Sequence, residues 1–356
     1  KAKEDFKTNP TKENIEAIFL SGDIGNNDET IEEKYEYCFN IIKEKYLNKE
    51  ITPQELLEQL SNIESTIDRI CDDENKERKI IRKIELFIET FCQIQNISEN
   101  ELIDIETASM GESGVMFKYQ EDEKEYLLKP AVDKKEMKSQ NFRAEIQKSA
   151  SILQSIISSD TSVNVDVIGD SKLKISKQEK VQLNENPNQL EDWINGKEQL
   201  STEHSNQLLQ EYVVDFLLCN FDCFVGNFIV DSNNNIRGID KEQSFRFIDD
   251  EQTLNPDFSY APNGNSRIPI YKELFERYKK GEIELDFKAF DEAIANAEAI
   301  SDEKYKEIFR NYAESLNPKN PDLILNKILE RKHKCTEIMK KYIEKIKYEK
   351  QGGHQI

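Results

Sequence analysis

The sequence predicts an α+β protein in which a small strand-rich region lies between two helical ones, and three observations carry the prediction. Residues 1–101 place apolar residues at three- and four-residue spacing with charged residues on the opposite faces, the pattern of amphipathic helices. Residues 102–186 break into short apolar runs separated by Gly or charged turns, with one helix-length stretch among them. From 187 to 350 the helical period returns, interrupted by a single short hairpin. The last residues, 351–356, read as a disordered tail.

The first region contains three apolar stripes. Tyr35, Cys38, Ile42 and Tyr46 make one, Leu56, Leu60, Ile63, Ile67 and Ile70 a second, and Ile80, Ile84, Phe87, Phe91 and Ile94 a third. The second stripe follows Thr52-Pro53-Gln54-Glu55, in which Thr and Glu can satisfy each other's free backbone N–H groups and Pro takes the first helical position. Such helices pack on one another or on the next region, and they offer a surface for a helper protein. Strands are expected at 103–107, 115–119 and 126–129, a helix at 136–158, and further strands at 163–168 and 173–183. Pro187 and Asn188 mark a linker to the second helical region.

Composition excludes several function classes. A net charge of −21, with Lys and Arg scattered among the acids, argues against nucleic acid as a partner, because phosphate-backbone binding needs a concentrated basic face. Three histidines (His204, His333, His354) leave little for a histidine-rich zinc site or a Ser-His-Asp hydrolase. No apolar run approaches the ~20 residues of a transmembrane segment. No signal peptide opens the chain, which starts at Lys1 rather than Met and so reads as trimmed. The six cysteines form no Cys-x-x-Cys pair, and Cys219 and Cys223 lack the further ligands a zinc site needs. Reduced core thiols in a cytoplasmic setting are expected. Chemistry in such a chain has to run on carboxylates, lysines and a metal–phosphate cofactor.

Residues 219–240, CNFDCFVGNFIVDSNNNIRGID, are the most informative stretch. Apolar runs at 228–230 and 236–239 flank the turn-prone Asp231-Ser232-Asn233-Asn234-Asn235, which predicts a β-hairpin. Its closure would return Asp240 to the side of Asn227. A hard cation such as Mg²⁺ takes oxygen ligands of this kind and shares them with substrate phosphates. Asp222, a short loop away, is then free to accept a proton from a substrate hydroxyl. Upstream, Gly111, Ser113 and Gly114 lie in a turn between two predicted strands, where backbone N–H groups can approach phosphate; alone, the same pattern is a hairpin turn. Lys129 ends an apolar strand, a place also open to an ordinary surface lysine. On the following helix Glu145 falls beside the buried face marked by Ile146, Ala150 and Leu153, with Glu136 as the alternative partner for Lys129.

Taken in chain order, the glycine turn, Lys129, Glu145, Asp222, Asn227 and Asp240 resemble the atypical branches of the protein-kinase-like superfamily: phosphoinositide 3/4-kinases, actin-fragmin kinase and bacterial effector kinases. GNFIVD followed by GIDKEQSF is closer to their wording than to the HRD and DFG of conventional kinases. The resemblance covers residues 103–250. It implies a bilobal kinase-like fold, with a small lobe at 102–186, a large lobe at 187–350, and 1–101 as a helical extension. It implies ATP between the lobes, its adenine near residues 181–183 and its phosphates held by the glycine turn and by Lys129, which Glu145 positions. Mg²⁺ would sit on Asn227 and Asp240, and Asp222 would act as the catalytic base. The γ-phosphate would pass to a protein Ser or Thr, or alternatively to an inositol lipid or other small alcohol, with residues 249–269 beside the acceptor. Kinase-like bacterial proteins of this kind act as effectors secreted into host cells, and the resemblance carries that expectation too.

The chain also departs from the pattern. Cys223 follows Asp222 where related kinases carry Arg, Lys241 follows Asp240 where the conventional pattern has Phe, and no APE segment follows. These departures bear on the acceptor more than on nucleotide binding. Three other readings stay open: a nucleotide-binding pseudokinase scaffold, transfer of AMP on the same fold, and a helical interaction protein in which the match is chance.

Overall fold

The computed structural model describes residues 1–21, 30–70, 74–97, 102–107, 115–133, 138–262 and 267–350. Its helices are α1 (Ala2–Thr8), α2 (Lys12–Leu20), α3 (Ile31–Leu47), α4 (Pro53–Ile70), α5 (Glu74–Ile97), α6 (Phe142–Ile157), α7 (Gln189–Ile194), α8 (Thr202–Leu217), α9 (Ile270–Lys279), α10 (Lys288–Ala299), α11 (Asp302–Leu316) and α12 (Pro321–Lys350). Its strands are β1 (Leu102–Thr107), β2 (Val115–Glu121), β3 (Lys124–Pro130), β4 (Val165–Gly169), β5 (Lys174–Glu179), β6 (Phe228–Val230) and β7 (Ile236–Gly238). The α+β class holds: a five-stranded sheet in the order β1-β2-β3-β5-β4, a separate β6-β7 hairpin, and helices before and after. The chain groups into two compact units, Lys1–Gln140 with Ile168–Ile175, and Asn141–Val167 with Ser176–Ile356. No described helix is long and apolar enough to cross a membrane.

In the first unit the three apolar stripes do what their spacing predicts. Cys38, Ile42, Leu56, Leu60, Ile63, Ile67, Ile84 and Phe91 lose all their exposure, while Tyr46 and Ile70, at the helix ends, stay half-buried. The Thr52–Glu55 capping box forms: Thr52 N–H donates to Glu55 Oε2 at 2.7 Å and Glu55 N–H to Thr52 Oγ1 at 3.2 Å. Phe87 of α5 meets Phe39 of α3 edge-on at 5.1 Å and Phe117 of β2 at 5.2 Å. The helices and the inner sheet face therefore share one core, to which Ile105, Phe117 and Leu128 contribute from three adjacent strands.

The second unit is built around α8. Leu208, Leu209, Tyr212, Val213, Val214, Phe216 and Leu217 are all buried, as expected of a helix enclosed on every side. Tyr212 packs against Phe216, Phe258, Tyr271, Phe275 and Phe290. Helices α6, α9, α10 and α12 contact this pillar.

Two boundaries differ from expectation. The helix expected at 136–158 begins at Phe142. Before it, Gln140 N–H donates to Ala131 O at 2.7 Å and Val132 bridges Ser139, so the chain doubles back first. Glu136 itself lies outside the described residues. The strand expected to reach 183 stops at Glu179. Beyond it the chain pairs with the hairpin instead: Ser232 N–H donates to Gln182 O at 2.8 Å and Asn184 N–H to Val230 O at 3.0 Å.

Candidate functional site

The end of α8 launches the segment that carries the site. Asn220 folds back on the helix, its N–H donating to Asp215 O at 2.9 Å, and its side-chain Oδ1 accepts the Asp222 N–H at 3.2 Å. A single turn of 3-10 helix, Val225–Asn227, leads into β6. The predicted hairpin is present: Phe228 opposes Gly238, Ile229 opposes Arg237 and Val230 opposes Ile236. Its turn is held by Asp231, whose Oδ1 accepts from Asn233 N–H at 2.9 Å and Asn235 N–H at 2.8 Å, while Oδ2 pairs with Arg237 at 2.7 Å. An Asp that hydrogen-bonds the backbone two residues on is the local reason this polar run turns.

Closure of the hairpin brings the predicted residues together. Asn227 O accepts the Ile239 N–H at 2.9 Å, which sets Asp240 beside the base of β6. Asn227 is buried, and its Nδ2 donates to Asp222 O at 2.5 Å. Asp240 takes a left-handed backbone, φ 55°, unusual for a residue with a side chain. The Asp222 carboxyl is pushed above the usual carboxylate range, first by burial and then by the neighbouring charge of Asp240, against the opposing pull of Arg267 and Asn227. Two carboxylates and an amide thus occupy one small volume.

These residues fit a divalent cation bridged by phosphate. With its Nδ2 committed to the Asp222 carbonyl, the Asn227 amide is locked in one flip and presents Oδ1 as an acceptor. Asp240 supplies an anionic oxygen, and oxygen donors of both kinds suit Mg²⁺, which draws the rest of its shell from water and phosphate. Among the described residues no group of three or more His, Cys, Asp or Glu is arranged to hold a metal unaided.

The other predicted residues are placed as follows. Lys129 lies on β3, half-buried in the first unit; strand alternation puts it on the face opposite Leu128, which faces the core. Glu145 is buried in the first turn of α6, in the second unit. Gly111, Ser113 and Gly114 lie outside the described residues. Residues 249–262 pack along the segment that carries Asp222, with Phe258 against Phe221 at 5.1 Å.

Two of the sequence departures, Cys223 and Lys241, have physical reasons. Cys223 is 1% exposed within the core of the second unit, and its carbonyl accepts the Ile270 N–H at 2.9 Å, so a long cation there would have nowhere to go. Lys241, only 6% exposed, turns into the unit and donates to Glu211 Oε2 and Asp215 Oδ1, each at 2.8 Å. Burial alone would lower the Lys241 ammonium, but the two carboxylates outweigh it and push it up. Sequence reasoning missed this buried cluster. Its one available signal is Glu211 and Asp215, two acids four apart in the mostly apolar second half of α8. Reasoning from sequence also missed Gln147 of α6, whose Nε2 reaches Asp240 Oδ1 at 3.4 Å and Glu242 Oε2 at 3.3 Å. Arg143, one turn earlier, pairs with Glu242 at 3.7 Å.

No protein-family model matches the chain, and no match emerges among curated proteins. Among solved structures the chain is similar to a Helicobacter pylori proinflammatory kinase, CtkA, at 14% identity and a TM-score of 0.42, over 67% of this chain and 95% of that one.

Proposed function

We propose that the chain is an ATP- and Mg²⁺-dependent phosphotransferase that moves the γ-phosphate to a hydroxyl, with a protein Ser or Thr as the first acceptor class. The observation that supports this reading is the meeting of Asp222, Asn227 and Asp240 on one closed hairpin, with the Asn227 amide locked so that its oxygen is presented. The element order supports it as well: three strands, a helix, two strands, then a helical unit containing the hairpin. A bound Mg²⁺ would supply positive charge to offset that of the phosphates. Asn227 and Asp240 would hold it in place. Asp222 would orient the acceptor hydroxyl and take its proton, and its raised affinity for protons suits that task. Lys129 would contribute a charge to the phosphates, a role that rests on its place at the end of β3.

The test pairs calorimetric ATP binding with γ-phosphate turnover in Asp222→Asn and Asp240→Ala. Asp222→Asn keeps the side-chain shape but cannot take a proton, so ATP affinity survives and transfer falls by about 10²–10⁴. Asp240→Ala loses the Mg²⁺-dependent part of ATP binding. Parental turnover in either variant would refute the assignment, and equally low turnover in parent and Asp222→Asn would leave a nucleotide-binding scaffold instead.

A further inference from the structure

Beneath the candidate site lies a cluster of charges that the proposed chemistry does not use. Glu211 and Asp215 stand one turn apart on α8 and neither is exposed at all. Asp215 collects three side-chain donors: Lys241 Nζ and Asn220 Nδ2 on Oδ1, both at 2.8 Å, and Tyr271 Oη on Oδ2 at 2.5 Å. Glu211 takes Lys241 Nζ on Oε2 at 2.8 Å, and on Oε1 Gln154 Nε2 at 2.8 Å and Thr161 Oγ1 at 2.5 Å. Gln154 Nε2 also donates to Gly238 O at 3.1 Å, at the end of β7.

Each donor to Asp215 controls a different working part. Asn220 receives the Asp222 N–H, so its grip on Asp215 fixes the backbone of the candidate base. Lys241 is the residue after Asp240, so its anchoring fixes the candidate metal ligand and holds its left-handed backbone. Tyr271 is the second residue of α9, one after Ile270 binds the Cys223 carbonyl, so it fixes the strip beside the base. Taking two charged side chains fully out of water for packing alone is unfavourable compared with apolar residues of similar volume. The arrangement makes sense if geometry, rather than stability, is what it supplies.

We propose that Asp215 is a positioning residue that, through Asn220 and Lys241, holds Asp222 and Asp240 at a set separation and orientation; this rests on the phosphotransferase reading for its consequence, but not for its geometry. It touches neither substrate nor metal and acts only through the residues it binds. The role is distinct from a stabilising salt bridge, because the same carboxylate ties together two segments that reach it from opposite ends of the hairpin.

Asp215→Asn is the informative variant. In the parent one cation faces two carboxylates; the substitution leaves Lys241 and Glu211 balanced one to one, so the unit has reason to fold. We expect a cooperative melt, faster amide hydrogen exchange at residues 219–224 and 238–242, and unchanged exchange in α10 and α11. Turnover should fall about 10–100-fold with KM for ATP nearly constant, the pattern for a sub-ångström misplacement of reacting groups rather than lost binding. Parental exchange in both segments would overturn the proposal, as would a uniform rise across the whole unit. If the parent shows no phosphate transfer, the functional reading fails while the exchange result still decides the positioning role. If Asp215→Asn does not fold, Asn220→Ala severs the link from Asp215 to the Asp222 N–H without changing charge, and the same readouts apply. Parental exchange near 219–224 in that variant would then count against the proposal.

Discussion

The two units of this chain solve the burial problem differently. Among the described residues the first unit's core is apolar apart from Thr66 and Thr90, with aromatic contacts such as Phe39–Phe87–Phe117 linking helices to sheet. The second unit builds its apolar core around α8 and yet keeps Glu211, Asp215 and Lys241 inside it. Hydrophobic burial is non-directional and tolerates exchange of similar side chains. A buried charge cluster is directional, and removing one partner leaves the others desolvated and unpaired. The first unit is therefore expected to be robust and the second exacting, at the place where the candidate chemistry lies.

The largest effect that would separate the units is Lys241→Met. It strands two buried carboxylates and should cost about 3–5 kcal/mol, confined to the second unit. Phe87→Ala should cost a similar ~3–5 kcal/mol, confined to the first. Thiol labelling reads the two separately. Burial pushes the Cys38 thiol in the first unit and the Cys335 thiol in the second up to about 12. Near pH 8 neither forms appreciable thiolate while folded, so each reacts only when its own unit opens. Lys241→Met should speed labelling of Cys335 and spare Cys38, and Phe87→Ala should do the reverse. Joint acceleration in both variants would show that the units unfold together and would break the comparison.

A smaller effect tests how exacting the charged region is. At Gly238 an added Cβ would stand 2.2 Å from Glu211 Oε2 and 3.0 Å from Gln154 Nε2. Gly238→Ala must push Glu211 aside, and should lower stability by about 1–3 kcal/mol as measured by denaturant melts. A neutral result would mean that the cluster can yield, and the geometric argument for Asp215 would weaken with it. The smallest effect belongs to the first unit. Thr52→Ala removes one half of the α4 capping box and should cost about 0.5–2 kcal/mol in the same assay. A larger loss would mean that the α4 terminus carries tertiary contacts beyond its cap.

What could be read from the sequence alone is what local chemistry and periodicity determine. Stripes at three- and four-residue spacing announced α3, α4 and α5, because only a helix puts those positions on one face. The Thr52–Glu55 box and the Asp231 turn were legible because each closes its hydrogen bonds within a few residues. The same holds for the Asn227–Asp240 meeting, since a hairpin of known register brings its two ends together. The tertiary structure alone decided where α6 begins, because residues 138–140 pair with 131–133 before the helix starts. It also decided where β5 ends, because the following residues find better partners on β6. It turned Lys241 inward to Glu211 and Asp215, which lie 30 and 26 residues earlier in the chain. No window of sequence contains that triad, and an acidic pair on a helix ordinarily faces water. Its burial follows from α8 being enclosed on every side, so its polar face has nowhere to point but toward the segment that carries the candidate site.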